Sequence, residues 1–261
     1  MPANDRYDFT KEDIEKSLQK VGLVKGDSIF IHSNIGFFGK LKDAATPQEY
    51  YRLFKSAILN VLGPDGTIVV PVFTYSFCNK QIYDKKMTMS VCGFLSESFR
   101  KDPQSIRSDD ANFSVSAIGK RATEFTSDAP EHSFGPGSFW AKFFEAGGKI
   151  CNFNFDSGST LIHFCEKTLK VPYRFDKAFP GVSIIDGQEC SRTFYHFVHD
   201  LKKPSHASDF VKFDTKAKEL SFAKCADLGK GQVLQISARD TFDLIKEQLK
   251  VDPAFLVKGS I

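Results

Sequence analysis

Strand-length apolar runs alternate with capped amphipathic helices along this 261-residue chain, and that alternation limits the folds available to it. The clearest helix is predicted in TPQEYYRLFKSAILNVLG, where Thr46 caps, Pro47 takes the first helical position and Glu49 completes a capping box. A GPDG turn and a buried strand, TIVVPVFTY, follow directly, and Pro71 weakens the end of the strand. Strands and helices interleaved in this way predict an α/β layer architecture.

The other predicted elements continue the same alternation. Helices are predicted in TKEDIEKSLQKV, GFLSESFRK, GSFWAKFFEAGGK, DSGSTLIHFCEKTLK and SARDTFDLIKEQL, and strands in DSIFIHS, FSVSAIG, KICNFNF, CSRTFYHFVHDL and QVLQIS. Residues 79–112 show less pattern. Because no linker, charge block or repeat divides the chain, we predict a single domain over residues 1–261, with room for a small embellishment in the last third.

Charge and cysteine usage exclude several classes of partner. The net charge of +3 is mild and unclustered, which argues against nucleic acid and suits small anionic ligands better than polycations. The first residues are charged, and no apolar stretch approaches about 18 residues, so we expect a cytoplasmic protein with no membrane partner. The six cysteines form no CxxC pair, so they are predicted to be reduced thiols and not a zinc site.

The stretch TLIHFCE decides how the function is interpreted. His163 precedes Glu166 by three residues, so on a helix both side chains lie on one face. One hypothesis is a core histidine with a carboxylate neighbour, which the spacing alone favours. A second is a metal site. A third is a general base whose tautomer and cation are stabilised by the acid.

The metal hypothesis finds little support in the surrounding residues. A reversed zinc signature needs a histidine directly after Glu166, where Lys167 stands, and a di-iron site needs the opposite Glu-x-x-His order twice. A thiol nucleophile is disfavoured as well, because Cys165 lies on a different helix face from His163. We therefore expect no bound metal.

Five stretches, in order, make the chain resemble the aminoglycoside 3-N-acetyltransferase family over nearly its whole length. They are GDSIFIHSNIGFFG, GPDGTIVVPVFTYSF, GFLSESFRKDPQSIRSDDANFSVSAIG, FGPGSFWAKFFEAGGKI and STLIHFCEKTLKVPYRF. The resemblance implies a layered α/β/α fold with a central mixed sheet, distinct from the GNAT fold. It also implies transfer of a short acyl group from acetyl-CoA or another acyl-CoA to an amine, without a covalent acyl-enzyme.

The resemblance also assigns expected roles to individual residues. His163 becomes the general base, Glu166 its orienting partner, and Thr160 either an oxyanion donor or only a helix cap. Expected contacts with the cofactor are Ser33, Asn34, Gly36, Phe37, Phe38, Gly39, Arg107, Ser108, Ser114 and Val115. Expected contacts with the acceptor are Tyr75, Asp110 and Asp156. Whether the protein forms a homodimer is left open.

One segment departs from the family pattern and bears on the acceptor. Antibiotic-modifying members commonly read Arg-Ser-x-His-Pro-x-His-Ser where this chain reads RSDDANFS. This departure resembles relatives that accompany surface-polysaccharide synthesis, which implies a nucleotide-linked amino sugar as the acceptor. Two alternatives are kept: aminoglycoside 3-N-acetylation that confers antibiotic resistance, and a catalytically inactive relative that binds CoA or a nucleotide.

Overall fold

A computed structural model describes residues 7–259 as strands and helices that alternate along the chain. The helices are α1 (Lys11–Lys20), α2 (Pro47–Leu62), α3 (Phe94–Lys101), α4 (Ala122–Thr126), α5 (Phe139–Glu145), α6 (Leu161–Thr168), α7 (Val211–Glu219) and α8 (Ala238–Val251). The strands are β1 (Ser28–Phe30), β2 (Thr67–Pro71), β3 (Tyr83–Asp84), β4 (Ile106–Arg107), β5 (Val115–Gly119), β6 (Lys149–Phe153), β7 (Arg174–Ile185), β8 (Gln188–His199), β9 (Lys224–Leu228) and β10 (Gly231–Ser237). Helix α2 carries the predicted capping box between Thr46 and Glu49.

The larger sheet is mixed, as predicted, and has the strand order β4-β5-β2-β1-β6-β10-β9. Its three central strands are parallel, because β1 pairs in parallel with β2 on one side and with β6 on the other. Strands β5 and β10 then pair antiparallel with the outer two of these three. The carboxyl ends of β1, β2 and β6 therefore meet at one edge of the sheet, which is where α/β proteins bind ligands.

Helices cover both faces of this sheet, which confirms the layered α/β/α prediction. Side chains alternate between faces along a strand, so Ile29 and Ile31 pack in one apolar cluster and Phe30 in the other. The first cluster contains buried residues of α1, α2 and α3, and the second contains buried residues of α4 to α8.

The embellishment in the last third is a long β-hairpin. Strands β7 and β8 pair antiparallel over twelve residues each, and β3 adds in parallel to form a second, three-stranded sheet. Asp186 and Gly187 form its turn with φ angles of 51° and 80°, the left-handed pair that a tight hairpin turn requires. Strand β8 lies where the sequence predicts a strand, whereas β7, which begins at Arg174, is not predicted from the sequence.

Two adjacent phenylalanines behave oppositely in the short 3-10 turn that follows β1. Phe38 is fully buried, and its ring lies 5.9 Å from the rings of Phe9, Phe54 and Phe153. Phe37 is 66% exposed. The side chain of Phe38 belongs to the core and that of Phe37 is accessible, and the predicted contacts of both residues with the cofactor stay predictions.

Two further sequence predictions concern cysteines and membranes. All six cysteines are free in the structure, as predicted. Within residues 7–259, none of the helices combines the length and the apolar character that crossing a bilayer requires.

Replacing Phe38 with alanine is expected to lower the free energy of unfolding by about 3–5 kcal/mol, because the change opens a cavity among buried rings. Phe37→Ala is the matched control and is expected to stay within about 0.5 kcal/mol of wild type. Urea denaturation of the three proteins measures both values. Equal losses for the two variants would show that the buried and exposed environments described here are not those of the folded protein.

Candidate active site

Residues that follow the three central strands lie at one edge of the sheet, where the first turn of α6 also begins. His32 and Ser33 follow β1, Tyr75 comes four residues after β2, and the loop after β6 leads through Asp156 to Thr160. Because β1, β2 and β6 are parallel neighbours, their following residues converge in space even though they are far apart in sequence. This edge is the candidate active site.

A histidine–glutamate pair lies on α6 at this edge. His163 Nδ1 is 2.7 Å from Glu166 Oε2, and the two residues are one helical turn apart. The side chain of Glu166 is fully buried, whereas that of His163 is 24% exposed. An ionised carboxylate only accepts, so His163 donates its Nδ1–H and keeps a lone pair on Nε2. The arrangement orients the imidazole and leaves its second nitrogen able to accept a proton.

Arg174 places a positive charge beside the His163–Glu166 pair. Its Nε lies 2.7 Å from the same oxygen of Glu166, and its side chain is only 4% exposed. Burial by itself would raise the pKa of the Glu166 carboxyl, but the hydrogen bond from His163 and the positive charge of Arg174 outweigh it and hold this pKa below its usual value. Glu166 is therefore an anion at neutral pH.

The first turn of α6 is held by His32. The backbone N–H of Thr160 points at His32 Nε2, at a distance of 3.4 Å. Burial lowers the pKa of His32 to about 4, so the ring is neutral and accepts this contact. Thr160 occupies the N-cap position of α6, as the helix-cap alternative predicts, but its side chain makes no capping hydrogen bond. Its role as an oxyanion donor stays a prediction.

The loop after β1 is held by contacts with neighbouring segments. Ser33 forms an isolated bridge with Phe153, and the carbonyl of Asn34 accepts from Asn154 at 3.0 Å. Gly36 has open space where a Cβ would stand, whereas a Cβ on Gly39 would meet Asp8 at 2.2 Å. These contacts explain how the loop is held, and its predicted approach to the pantetheine arm remains untested.

Arg107 has a structural role. Its guanidinium is buried and makes five hydrogen bonds, with acceptors that are the carbonyls of residues 72, 85 and 88 and the hydroxyl of Ser114. Ser108 and Val115 pair with each other through backbone and hydroxyl contacts of 2.9 and 3.0 Å. No N–H of Arg107 is left for a phosphate, so the expected direct contacts of Arg107 and Ser114 with the cofactor find no support.

The predicted acceptor residues fall into two groups. Tyr75 is 37% exposed with a φ of 53°, an uncommon conformation that often marks functional positions. Asp110 is buried, and it accepts from the amides of Asn112 and Phe113 and from the hydroxyl of Ser133. Asp156 is exposed and accepts the amide of Gly158 at 2.8 Å. Tyr75 is thus available to a ligand, whereas both carboxylates already hold local structure.

Several residues around His163 are not predicted from the sequence. Phe134 and Phe210 flank its ring, with ring centroids 5.6 and 5.9 Å away. Phe134 begins the FGPGSFWAKFFEAGGKI stretch but was given no role, and Phe210 lies outside the five stretches. Arg174 stood inside the Pro-Tyr-Arg stretch but received no role. Among residues 7–259, no group of three or more histidines, cysteines and acids is arranged to hold a metal ion.

The comparisons with known proteins identify the family. A sequence profile of the aminoglycoside 3-N-acetyltransferases matches residues 30–250. The chain belongs to this family. Its members are acetyl-CoA-dependent N-acetyltransferases, which is the activity class that the resemblance implied.

Individual aminoglycoside 3-N-acetyltransferases are distant in sequence but similar over most of their length. Aminoglycoside N(3)-acetyltransferase VII of Streptomyces paromomycinus is 23% identical over 256 residues, which cover 89% of this chain and 85% of the relative. Aminoglycoside N(3)-acetyltransferase IX of Micromonospora chalcea is 22% identical over 256 residues, which cover 89% of this chain and 88% of the relative.

Solved structures of this type share the fold. The CoASH complex of AAC-IIIb superposes with a TM-score of 0.79 at 22% identity, over 93% of this chain and 97% of that one. AAC-VIa bound to sisomicin gives a TM-score of 0.77 at 20% identity, over 93% and 98% of the two chains. The fold prediction, including its distinction from GNAT, is confirmed.

The depressed pKa of His32 predicts a pH-dependent contribution to stability. Unfolded histidine takes up its proton near pH 6.5 and folded His32 only near pH 4, so the unfolded state binds more protons in between. The stability of wild type should therefore fall as the pH drops from about 6.5 toward 4, by roughly 1.4 kcal/mol for each unit of separation.

His32→Gln should lose the pH-dependent contribution of His32 to stability. Its unfolding free energy should therefore depend less on pH than that of wild type. His132→Gln is the control, because the side chain of His132 is 46% exposed. Denaturant titrations between pH 4 and 7 measure the slopes. Parallel curves for wild type and His32→Gln would contradict a lowered pKa of His32 in the folded protein.

Proposed function

We propose that this protein moves an acetyl group from acetyl-CoA to the amine of an amino sugar, with His163 as the general base. The observation that supports it is the oriented, partly exposed imidazole beside a buried carboxylate, at the sheet edge where ligands bind in α/β proteins. Family membership supplies the activity class. The experiments below test which acceptor the protein acetylates.

The chemistry follows from the tautomer of His163. The amine nitrogen of the acceptor attacks the carbonyl carbon of the thioester, and Nε2 of His163 takes the proton that this nitrogen must lose. Glu166 stabilises the imidazolium that forms. When the tetrahedral intermediate collapses, the C–S bond breaks and the leaving thiolate takes the proton back. The protein forms no covalent bond to the acyl group.

The first turn of α6 is suited to the negative charge that develops on the thioester oxygen. The hydroxyl of Thr160 makes no hydrogen bond within residues 7–259, and the amide of Leu161 is the first in a helix, where backbone N–H groups lack helical partners. Donors fixed in place before the reaction stabilise an oxyanion more than mobile water does. We propose these two groups as the oxyanion donors.

The acceptor that the comparisons favour is an aminoglycoside. The relatives in sequence carry that substrate in their names, and one structural neighbour binds sisomicin. Its amines are the reacting groups that the proposed mechanism requires. We therefore propose an aminoglycoside as the first acceptor to test.

A nucleotide-linked amino sugar is the second candidate, and the charge arrangement favours it. Asp109 is paired with Lys85 at 2.7 Å, and Asp110 and Asp156 accept local hydrogen bonds. Few carboxylates near the predicted acceptor residues are left to neutralise a polycation, whereas a neutral or anionic acceptor does not need them.

His163→Ala is expected to lower kcat by a factor of about 100 to 10,000 while leaving acetyl-CoA binding intact, because it removes the base and not a binding group. Spectrophotometric detection of released CoA thiol measures turnover, and calorimetry measures binding. His132→Ala serves as the control histidine. Wild-type turnover in His163→Ala would refute the assignment of the base.

Turnover on a panel of acceptors separates the two candidates. Gentamicin, sisomicin and apramycin represent aminoglycosides, and uridine- and thymidine-diphosphate amino sugars represent the alternative. We expect kcat/KM to be highest for an aminoglycoside, in line with the comparisons. Higher values for the nucleotide sugars would select the second candidate, and acetyl-CoA binding without turnover on any amine would point to an inactive relative.

A further inference from the structure

One oxygen of Glu166 serves two partners from different parts of the fold. Oε2 lies 2.7 Å from His163 Nδ1 on the same helix and 2.7 Å from Arg174 Nε at the start of β7. The carboxylate is fully buried, so solvent does not stabilise its charge. An isolated buried anion of this kind is strongly disfavoured unless it is paired.

Arg174 is held in place independently of Glu166. One of its terminal nitrogens donates to the hydroxyl of Ser208 at 2.6 Å, and the other lies 3.5 Å from the carbonyl of Phe197 on β8. The guanidinium is therefore fixed by the base of the hairpin and by the segment before α7. Its position does not depend on which way the carboxylate turns.

We propose that Arg174 is a positioning residue that keeps Glu166 ionised and aimed at His163. This proposal rests on the proposed function only for its effect on turnover, because the proton affinity of His163 can be measured without any substrate. Arg174 touches neither acceptor nor thioester in this account. It acts through Glu166, and it links the β7–β8 hairpin to the general base His163.

Other titratable groups face the pair and must be considered with it. They are Cys165 on α6, Tyr173 beside Arg174, His199 on β8 and His206 in the segment before α7. Burial and then the charge of Glu166 raise the pKa of Tyr173, so its hydroxyl stays protonated. Among these groups and the pair itself, Arg174 alone carries a permanent positive charge.

Loss of Arg174 is expected to raise the pH at which the His163–Glu166 pair takes up its proton. The cation opposes proton uptake by the His163–Glu166 pair, because it repels an imidazolium and stabilises the unprotonated carboxylate. Without it the pair takes up its proton at a higher pH, and the apparent value belongs to the pair and not to one residue. A charge removed from this distance is expected to move the midpoint upward by about one pH unit.

The test compares Arg174→Met, Arg174→Lys and a matched control on the same hairpin. Arg192→Met is the control, since Arg192 packs over Phe194 and donates to the carbonyl of Ala129 without touching Glu166. NMR titration of the His163 ring gives the midpoint, the pH profile of kcat/KM gives its consequence, and thermal unfolding reports on folding. Ser208→Ala is a milder variant that loosens the guanidinium if Arg174→Met does not fold.

We expect the midpoint to rise in Arg174→Met, to rise less in Ser208→Ala, and to stay near wild type in Arg174→Lys and Arg192→Met. A folded Arg174→Met with an unchanged midpoint would overturn the proposal, and so would equal shifts in Arg174→Lys and Arg174→Met. If wild type shows no turnover while the midpoint shifts as expected, the proposed function fails and the positioning role stands.

Discussion

The hydrogen bond between the imidazole of His163 and a carboxylate sealed from water is the interaction on which the site depends. A carboxylate at that depth stays ionised only because His163 and Arg174 offset the cost of burial. In return the ring is held in one tautomer, with its second nitrogen directed away from the carboxylate. This one hydrogen bond therefore orients the imidazole of His163 and places a buried negative charge beside it.

The rest of the fold brings other groups to this contact. Three parallel strands end at one edge, so the loops that carry His32 and Tyr75 leave the sheet at that edge, and His32 meets the first turn of α6. Neutral His32 accepts the amide of Thr160 and fixes the start of that helix. The hairpin contributes Arg174, which pairs with Glu166. Local sequence determines each strand, loop and helix, but the sheet topology brings them together in space.

Much of this was readable from sequence where the signal is local. The capping box at Thr46, the strand that ends at Pro71 and the i, i+3 spacing of His163 and Glu166 all depend on residues close in the chain. Strand β7 was missed because Pro180 and Gly181 interrupt its pattern, and Gly181 is needed where Phe77 packs close by. The hydrogen bonds from Arg107 to the carbonyls of residues 72, 85 and 88, and the bond from Ser133 to Asp110, join segments that no sequence spacing relates.

The most direct test of the central claim is the tautomer of His163 in the folded protein. Nitrogen-15 NMR of labelled histidine distinguishes a protonated Nδ1 from a protonated Nε2 through their coupling to the ring protons. At neutral pH the structure predicts a proton on Nδ1, shared with Glu166, and a bare Nε2. A proton on Nε2 with Nδ1 unprotonated would contradict the account, because no base would then face the reacting amine.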